Sequence, residues 1–262
     1  MSHLLEKVRQ EKPLIHNMTN QVVMNFTANG LYAVGATPVM THAKEEVEEM
    51  AKNASALLLN IGTLTTEQVE AMILAGKSAN KAGVPVVLDP VGVGATTFRT
   101  TAAKQILQEV QIACIRGNAG EIANLADIDV QVRGVDSASD MDERQLASEA
   151  YKRLQVPLAI TGATDIVINK EEQVMISGGH PLLTKVTGTG CLLSSVIAAF
   201  LTVTEDVTSA IVDALSYYSV AAENAATNQI YPGSFQVAFL DQLAAVDGEE
   251  MDKKKSRIRS FE

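Results

Sequence analysis

Short aliphatic and β-branched runs alternate with longer helical ones along most of the chain, and this alternation restricts the fold more than any other feature. Ala56 to Ile61 (ALLLNI) reads as a buried strand. Thr65 to Gln68 has the form of a capping box, opening a helix that runs to about Ala82 and closes at Gly83. Val84 to Leu88 (VPVVL) is the next strand. Residues 101–111 read as a helix, Ile112 to Ile115 as a short strand, and Ala119 to Ala126 as a helix again. Met141 to Leu154 forms a charged helix and Pro157 to Thr161 (PLAIT) a strand. Ile166 to Asn169 and Val174 to Ser177 then flank the polar turn Lys170-Glu171-Glu172, the pattern of an antiparallel hairpin. From Gly190 to about Val246 the chain reads as almost wholly helical, and Gly248 to Glu262 as a charged tail ending in frayed helix or loop.

Strands separated by helices imply a mostly parallel sheet covered on both faces, because a parallel crossover needs a helix-length connection. The expected class is therefore α/β: a three-layer sandwich, mostly parallel, with an antiparallel hairpin at one edge. The length of 262 residues allows one large domain or two small ones. No Pro/Ser-rich linker, charge break or internal repeat divides it, so a single domain over residues 1–262 is expected, with 248–262 as its tail.

Composition narrows the functional classes. Hydrophobic residues are 47% of the chain but aromatics only 4%, with no Trp, so the core must be aliphatic. A net charge of -10 argues against nucleic-acid or anionic-membrane binding, which needs a basic face. Met1 to Pro13 has neither the apolar run of a signal peptide nor that of a membrane span. Two cysteines, Cys114 and Cys191, make no disulfide framework and suit a reduced, cytoplasmic protein.

In an open α/β sheet, ligands bind beyond the carboxyl ends of the strands. Polar and Gly residues gather there: Gly62-Thr63, Asp89 to Gly94, Arg116 to Glu121, and Gly162 to Asp165. Turns favour such residues in any protein, but four turns carrying carboxylates and an Arg at one edge suit a ligand site. Thr187-Gly188-Thr189-Gly190-Cys191 precedes a long apolar helix. It is either a plain Gly-rich helix start with a buried Cys, or an anion hole of backbone N–H groups at a helix dipole's positive end. In the second case Cys191 lies in the first helical turn, where a thiol pKa tends to fall. Glu121 can cap its helix or hold Mg²⁺ through water. Asp89 can form a turn or stand in the outer shell of a metal, and Arg116 can clamp phosphate or pair with a carboxylate.

Other motifs are set aside. Ala71 to Ser78 fits a relaxed P-loop pattern, but Gly76-Lys77-Ser78 falls inside the capped helix rather than between strand and helix, so Lys77 is a solvated helix charge. His3, His16, His42 and His180 share no metal-ligand spacing, although His16 and His42 can approach the pocket from neighbouring strands. Gly-x-Ser-x-Gly and a strand-linked Gly-x-Gly-x-x-Gly are both missing, which disfavours hydrolase and dinucleotide readings.

Seven blocks, in order, resemble hydroxyethylthiazole kinases: His16 to Asn25 (HNMTNQVVMN), Gly35 to Met40 (GATPVM), Asn60 to Thr63 (NIGT), Val86 to Gly94 (VVLDPVGVG), Arg116 to Glu121 (RGNAGE), Ile160 to Gly162 (ITG) and Val186 to Cys191 (VTGTGC). Each is weak alone; together they are specific. The resemblance implies a ribokinase-like fold without a separate lid and a transferase of the thiamine salvage and biosynthesis route. ATP would phosphorylate the alcohol of 4-methyl-5-(2-hydroxyethyl)thiazole, with Mg²⁺. It further implies a homotrimer with active sites between subunits, so that a neighbouring chain does the lid's work. Met40, Gly188, Asn20 and Gly62 match thiazole-site positions, Arg116 and Thr161 ATP-site positions, and Glu121, with Asp89, the metal-associated carboxylates. Gly188, Thr189, Gly190 and Cys191 match the catalytic anion hole, and the resemblance makes Cys191, which stands where many ribokinase-like enzymes carry an Asp, the expected catalytic base. The competing readings are a ribokinase-like kinase for another small alcohol, of pyrimidine or pyridoxal type, and a non-enzymatic thiazole or nucleotide sensor.

Overall fold

The computed structural model describes residues 2–129, 140–170 and 172–261. In chain order the elements begin α1 (Ser2–Glu11), β1 (Leu14–Met18), α2 (Met24–Val34), β2 (Thr37–Val39), α3 (Val47–Asn53), β3 (Ala56–Asn60), α4 (Thr66–Lys81), β4 (Val86–Asp89) and α5 (Thr97–Glu109). They continue β5 (Cys114–Asn118), α6 (Ala119–Leu125), α7 (Asp140–Leu154), β6 (Leu158–Thr161), β7 (Thr164–Asn169) and β8 (Glu172–Ser177). A 3₁₀ turn at Pro181–Lys185 leads to α8 (Thr189–Leu201), α9 (Val207–Ala226), α10 (Pro232–Ala245) and α11 (Gly248–Lys253). A second 3₁₀ turn, Lys255–Arg257, precedes β9 (Ile258–Phe261).

One nine-stranded sheet runs through the described residues in the order β2-β1-β3-β4-β5-β6-β7-β8-β9. The pairings from β2 to β6 are parallel and those from β6 to β9 antiparallel. Alternation along each strand divides the apolar residues between two layers, because successive side chains point to opposite faces. Ala56 and Leu58, Val87, Cys114, Ala159 and Val167 meet residues of α1, α2 and α8 to α11. Leu57 and Leu59, Val86 and Leu88, Ile115, Leu158 and Ile160 meet residues of α3 to α7. The expected sandwich is therefore present, with the aliphatic core split by the sheet.

The capping box is formed: the Thr65 hydroxyl accepts the Gln68 N–H at 3.2 Å and the Gln68 amide oxygen accepts the Thr65 N–H at 2.9 Å. Lys77 lies in α4 and pairs with Glu109 at the surface, consistent with a helix charge and not a phosphate clamp. Two strand boundaries move towards the site. Val84 and Pro85 precede β4, and Asp89 is its last residue, paired with Asn60. Arg116 lies within β5, opposite Ala159, rather than after the strand as expected.

The tail departs most from its expected form. After α11 it ends in β9, whose Ile258 to Phe261 pair with Ile176 to Gln173 of β8. The hairpin thus gains an edge strand. Ile258 and Phe261 are half-buried and Arg144 stacks on the Phe261 ring at 3.9 Å, which explains why a charged segment stays docked. No described helix is long and apolar enough to cross a membrane.

Close packing of α2 on α8 holds the start of α8 in place. A Cβ at Gly30 would stand 2.3 Å from Cδ2 of Leu192, a fully buried side chain. Ala is favoured over Gly in a helix by about 1 kcal/mol, whereas overpacking a core costs about 1–3 kcal/mol. Gly30→Ala should therefore lower the unfolding free energy by about 1 kcal/mol in urea denaturation; a more stable variant would show that Leu192 has room to move.

Candidate active site

The start of α8 is built differently from those of α4, α5, α6, α9 and α11. Thr65, Thr96, Asn118, Asp206 and Asp247 each cap a helix by accepting a backbone N–H through the side chain. The residue before α8 is Gly188, which has no side chain to do so. Its φ of +95° lies in the left-handed region, and a Cβ there would meet Val23 Cγ1 at 2.7 Å. Backbone conformation and packing both require glycine. The first N–H groups of α8 remain available to a ligand, at the positive end of the helix dipole.

Arg116 lies across this helix start. A Cβ on Gly190 would sit 2.8 Å from Arg116 Nη1, so only glycine lets the guanidinium approach the backbone so closely. Arg116 Nη2 donates to Thr161 Oγ1 at 2.6 Å, and Nη1 stands 4.0 Å from Asp89 Oδ1. The first turn of α8 is fixed from behind: Thr189 Oγ1 donates to Leu183 O at 2.8 Å, and the buried Tyr218 hydroxyl donates to Thr189 O at 2.6 Å.

Asp89 is fully buried beneath the turn. Its Oδ2 accepts from Asn60 Nδ2 at 2.7 Å and from Ser194 Oγ at 2.8 Å, while Oδ1 has no hydrogen-bond partner. Burial raises its pKa to about 6 against the opposing pull of Arg116. Asn60 also links Asp89 to the other half of the site. Its Oδ1 accepts from Asn20 Nδ2 and from the Gly62 N–H, each at 3.0 Å. Asn20 Nδ2 also reaches Cys191 Sγ at 3.4 Å. Asn20 packs so tightly on Gly62 that a Cβ there would lie 2.6 Å from its Nδ2.

The Cys191 thiol does not behave as its helix position suggested. Burial, followed by the charge of Asp89, pushes its pKa up to about 11, outweighing the hydrogen bonds from Asn60 and Asn20. Desolvation disfavours the charged thiolate.

Glu121 completes the capping box of α6, accepting the Asn118 N–H at Oε2 (2.9 Å) and the Gly92 N–H at Oε1 (2.8 Å). Both oxygens are therefore already held by backbone. No group of three or more His, Cys, Asp or Glu among the described residues could bind a metal directly. The carboxylates suit a hydrated Mg²⁺ held through its waters, with the unpartnered Asp89 Oδ1 as the open acceptor.

Beside this cluster opens a cavity of about 580 Å³. Its walls include Arg116, Thr161 to Ala163, Asp165, Gly178 to Pro181, Thr189, Gly190 and Tyr218. The cavity is lined by Thr189 and Gly190 of the α8 start, whereas Asn20, Gly62 and Cys191 do not line it. Met40 does not line the cavity; it is half-buried in the loop after β2. That loop is tied to β1 by His16 Nε2 and Thr41 O at 2.9 Å, and by His42 Nε2 and Thr19 O at 3.0 Å. Burial lowers both imidazole pKa values, so these histidines brace the loop in the neutral form.

Sequence reasoning missed Asn60, Ser194 and Arg99. Asn60 stood inside a recognised block and Ser194 follows Cys191 by one helical turn, a spacing that could have found it. Arg99, in the first turn of α5, donates to Val91 O at 2.6 Å and Gly62 O at 2.5 Å, tying together two of the strand-end turns.

The hydroxyethylthiazole kinase family model matches residues 5–249. A solved hydroxyethylthiazole kinase from Pyrococcus horikoshii OT3 superposes with a TM-score of 0.90 at 40% identity, covering 100% of this chain and 98% of that one. A ribokinase-like superfamily protein from Enterococcus faecalis V583 has a TM-score of 0.65 at 12% identity, covering 94% of each chain. The Staphylococcus aureus pyridoxal kinase has a TM-score of 0.61 at 15% identity, covering 81% and 88%. These two show a shared ribokinase-like fold.

The raised thiol pKa has a direct chemical consequence. At pH 8 Cys191 should alkylate with iodoacetamide at least about tenfold more slowly than a free thiol of pKa near 8.5. The rate should climb as pH approaches 11. Fast alkylation at pH 7 would mean that the helix end governs the thiol after all.

Proposed function

The chain belongs to the hydroxyethylthiazole kinase family, and from that premise we propose how this site carries out the family reaction, ATP-dependent phosphorylation of the hydroxyl of 4-methyl-5-(2-hydroxyethyl)thiazole. The observation that carries the reading is the uncapped start of α8 at Gly188, with Arg116 laid across Gly190. Phosphoryl transfer is chiefly positioning and charge stabilisation, and this pairing of free N–H groups with a guanidinium suits a transferring phosphoryl group.

ATP occupies the cavity lined by Arg116 and Thr161, with its γ-phosphoryl group at Gly188 to Cys191. The thiazole alcohol approaches from the side of Asn20, Gly62 and Met40, with Gly188 beneath it. Asp89 and Glu121 would hold a hydrated Mg²⁺, which would neutralise part of the phosphate charge. Cys191 orients the alcohol as a neutral thiol. A thiol with its pKa near 11 is a poor base at neutral pH, but a loose transition state makes little demand for one. As the new O–P bond forms and the bond to the ADP oxygen breaks, the hydroxyl proton passes to the phosphorylated product and then to solvent. Asn20, anchored by Asn60, keeps the thiol in place.

We also read the protein as one lidless domain working as a homotrimer in the cytoplasm. The trimer reading takes the exposed apolar residues Val22, Tyr32, Phe98, Ile230, Tyr231 and Val237 as candidates for contact between subunits. Val22 also borders a second groove with Val186 and Thr187, immediately before the anion hole.

A coupled ADP-release assay with ATP, Mg²⁺ and the thiazole alcohol should show turnover; background rates would favour a sensor, and faster turnover of pyridoxal or a pyrimidine would change the substrate. Glu121→Gln should weaken Mg²⁺-dependent turnover while leaving the circular dichroism spectrum intact, and unchanged activity would remove its metal role. Cys191→Ser should lower kcat more than it alters the ATP KM. A wild-type pH–rate limb near 8.5 that vanished in this variant would restore the thiol as a base.

A further inference from the structure

The wall of the cavity is held from outside by a segment that the family match does not reach. Gly178 and Gly179 line the cavity with φ of +152° and +84°, so the turn is made by glycine and carries no side chain of its own to anchor it. Its anchor is Glu223 on α9, whose Oε1 accepts the Gly179 N–H at 3.1 Å. Glu223 lies one helical turn beyond Ser219, itself a cavity residue. A Cβ on Gly178 would stand 3.1 Å from Glu223 Oε1 and 3.3 Å from Arg257 Nη1, so the carboxylate and guanidinium press directly on the turn.

Two cations secure that carboxylate. Arg257 Nη1 pairs with Oε1, and Lys254 Nζ stands 3.4 Å from Oε2. Both lie beyond residue 249, where the family match ends. Arg257 is delivered by β9, because its neighbour Ile258 pairs with Ile176, two residues before Gly178. The charges also matter collectively. In a chain of net charge -10, an unpaired carboxylate beside an anion cavity would repel its ligand. Arg257 and Lys254 neutralise it without removing the acceptor that Gly179 needs.

We propose that Glu223 is a positioning residue for the nucleotide, fixing the Gly178–Gly179 wall while Arg257 and Lys254 of the C-terminal segment neutralise and hold it. The proposal rests on the reading of this cavity as the ATP site. It assigns the docked tail a task in the reaction in addition to edge protection.

Full-length Glu223→Ala should raise the ATP KM about five- to tenfold, the effect of losing a partly buried hydrogen-bond acceptor. Its kcat at saturating ATP and its thiazole KM should stay within about twofold of wild type. Glu223→Gln keeps an acceptor oxygen for Gly179 and should raise the ATP KM only about two- to threefold. Combined Arg257→Gln and Lys254→Gln should raise it more at about 50 mM salt than at about 500 mM, because the freed carboxylate is screened by salt. A fall in melting temperature with an unchanged ATP KM in Glu223→Ala would overturn the proposal, leaving Glu223 a purely structural role. Arg116→Ala separates this from the premise. If it raises the ATP KM and neither Glu223 variant does, only the positioning role fails. If Arg116→Ala leaves the ATP KM unchanged, the cavity is not the nucleotide site and both readings fall.

Discussion

Asp89 is a carboxylate buried at the end of a central parallel strand, with one oxygen left without a partner, and much of the site is arranged around that expensive position. Asn60 reaches it from β3, Ser194 from α8 and the Arg116 guanidinium from β5. Three elements distant in sequence are thereby pinned to one point. A buried ion pair adds little net stability, because desolvation offsets its attraction. Here the native pKa, near 6, lies above the unfolded value near 3.8, so the fold binds this proton more tightly than the unfolded chain does. The contribution from that proton is fully present below about pH 4 and is lost as pH rises through 6. At neutral pH the charge therefore opposes folding, as expected of a group retained for chemistry.

The same region shows how glycine converts backbone into binding surface. Gly188 leaves the start of α8 uncapped, Gly190 lets Arg116 lie flat against it, and Gly62 lets Asn20 close on the neighbouring turn. At Gly190 and Gly62 the omitted side chain makes way for a polar group from a different element, and at Gly188 for the apolar Val23 and Phe26. The result is a small electropositive patch in an acidic protein, which reconciles a net charge of -10 with a strongly anionic nucleotide. Local N–H groups and one cation act at a few ångströms, whereas the net charge is spread over the surface and screened by salt.

Much of this was legible in the residues. The alternation of Ala56 to Ile61, Val84 to Leu88 and Pro157 to Thr161 with helical segments led to the three-layer sheet, because side-chain period and crossover length are local properties. The capping box at Thr65 was readable for the same reason. Arg116 was misplaced because a strand's end depends on its neighbour: the β6 ladder carries β5 to Asn118. The charges of residues 248–262 look solvated in isolation, which reads as a frayed end, and only the edge of β8 turns Ile258 to Phe261 into a strand. The Cys191 thiol was misjudged for a related reason, since helix position is visible in sequence but burial beside Asp89 is not.

The sequence alone determined the class of fold, the family and the ordered set of blocks that carry the site, since these depend on periodicity, glycine placement and residue identity. Only the tertiary structure decided which of those residues meet. It brought Asn60 and Ser194 onto Asp89, set the partly buried Cys191 beside Asp89 so that its thiol keeps its proton, and laid the C-terminal strand against the hairpin so that Arg257 reaches Glu223. Local geometry is encoded within a few residues, whereas desolvation and charge pairing depend on segments that fold together from far apart in the chain.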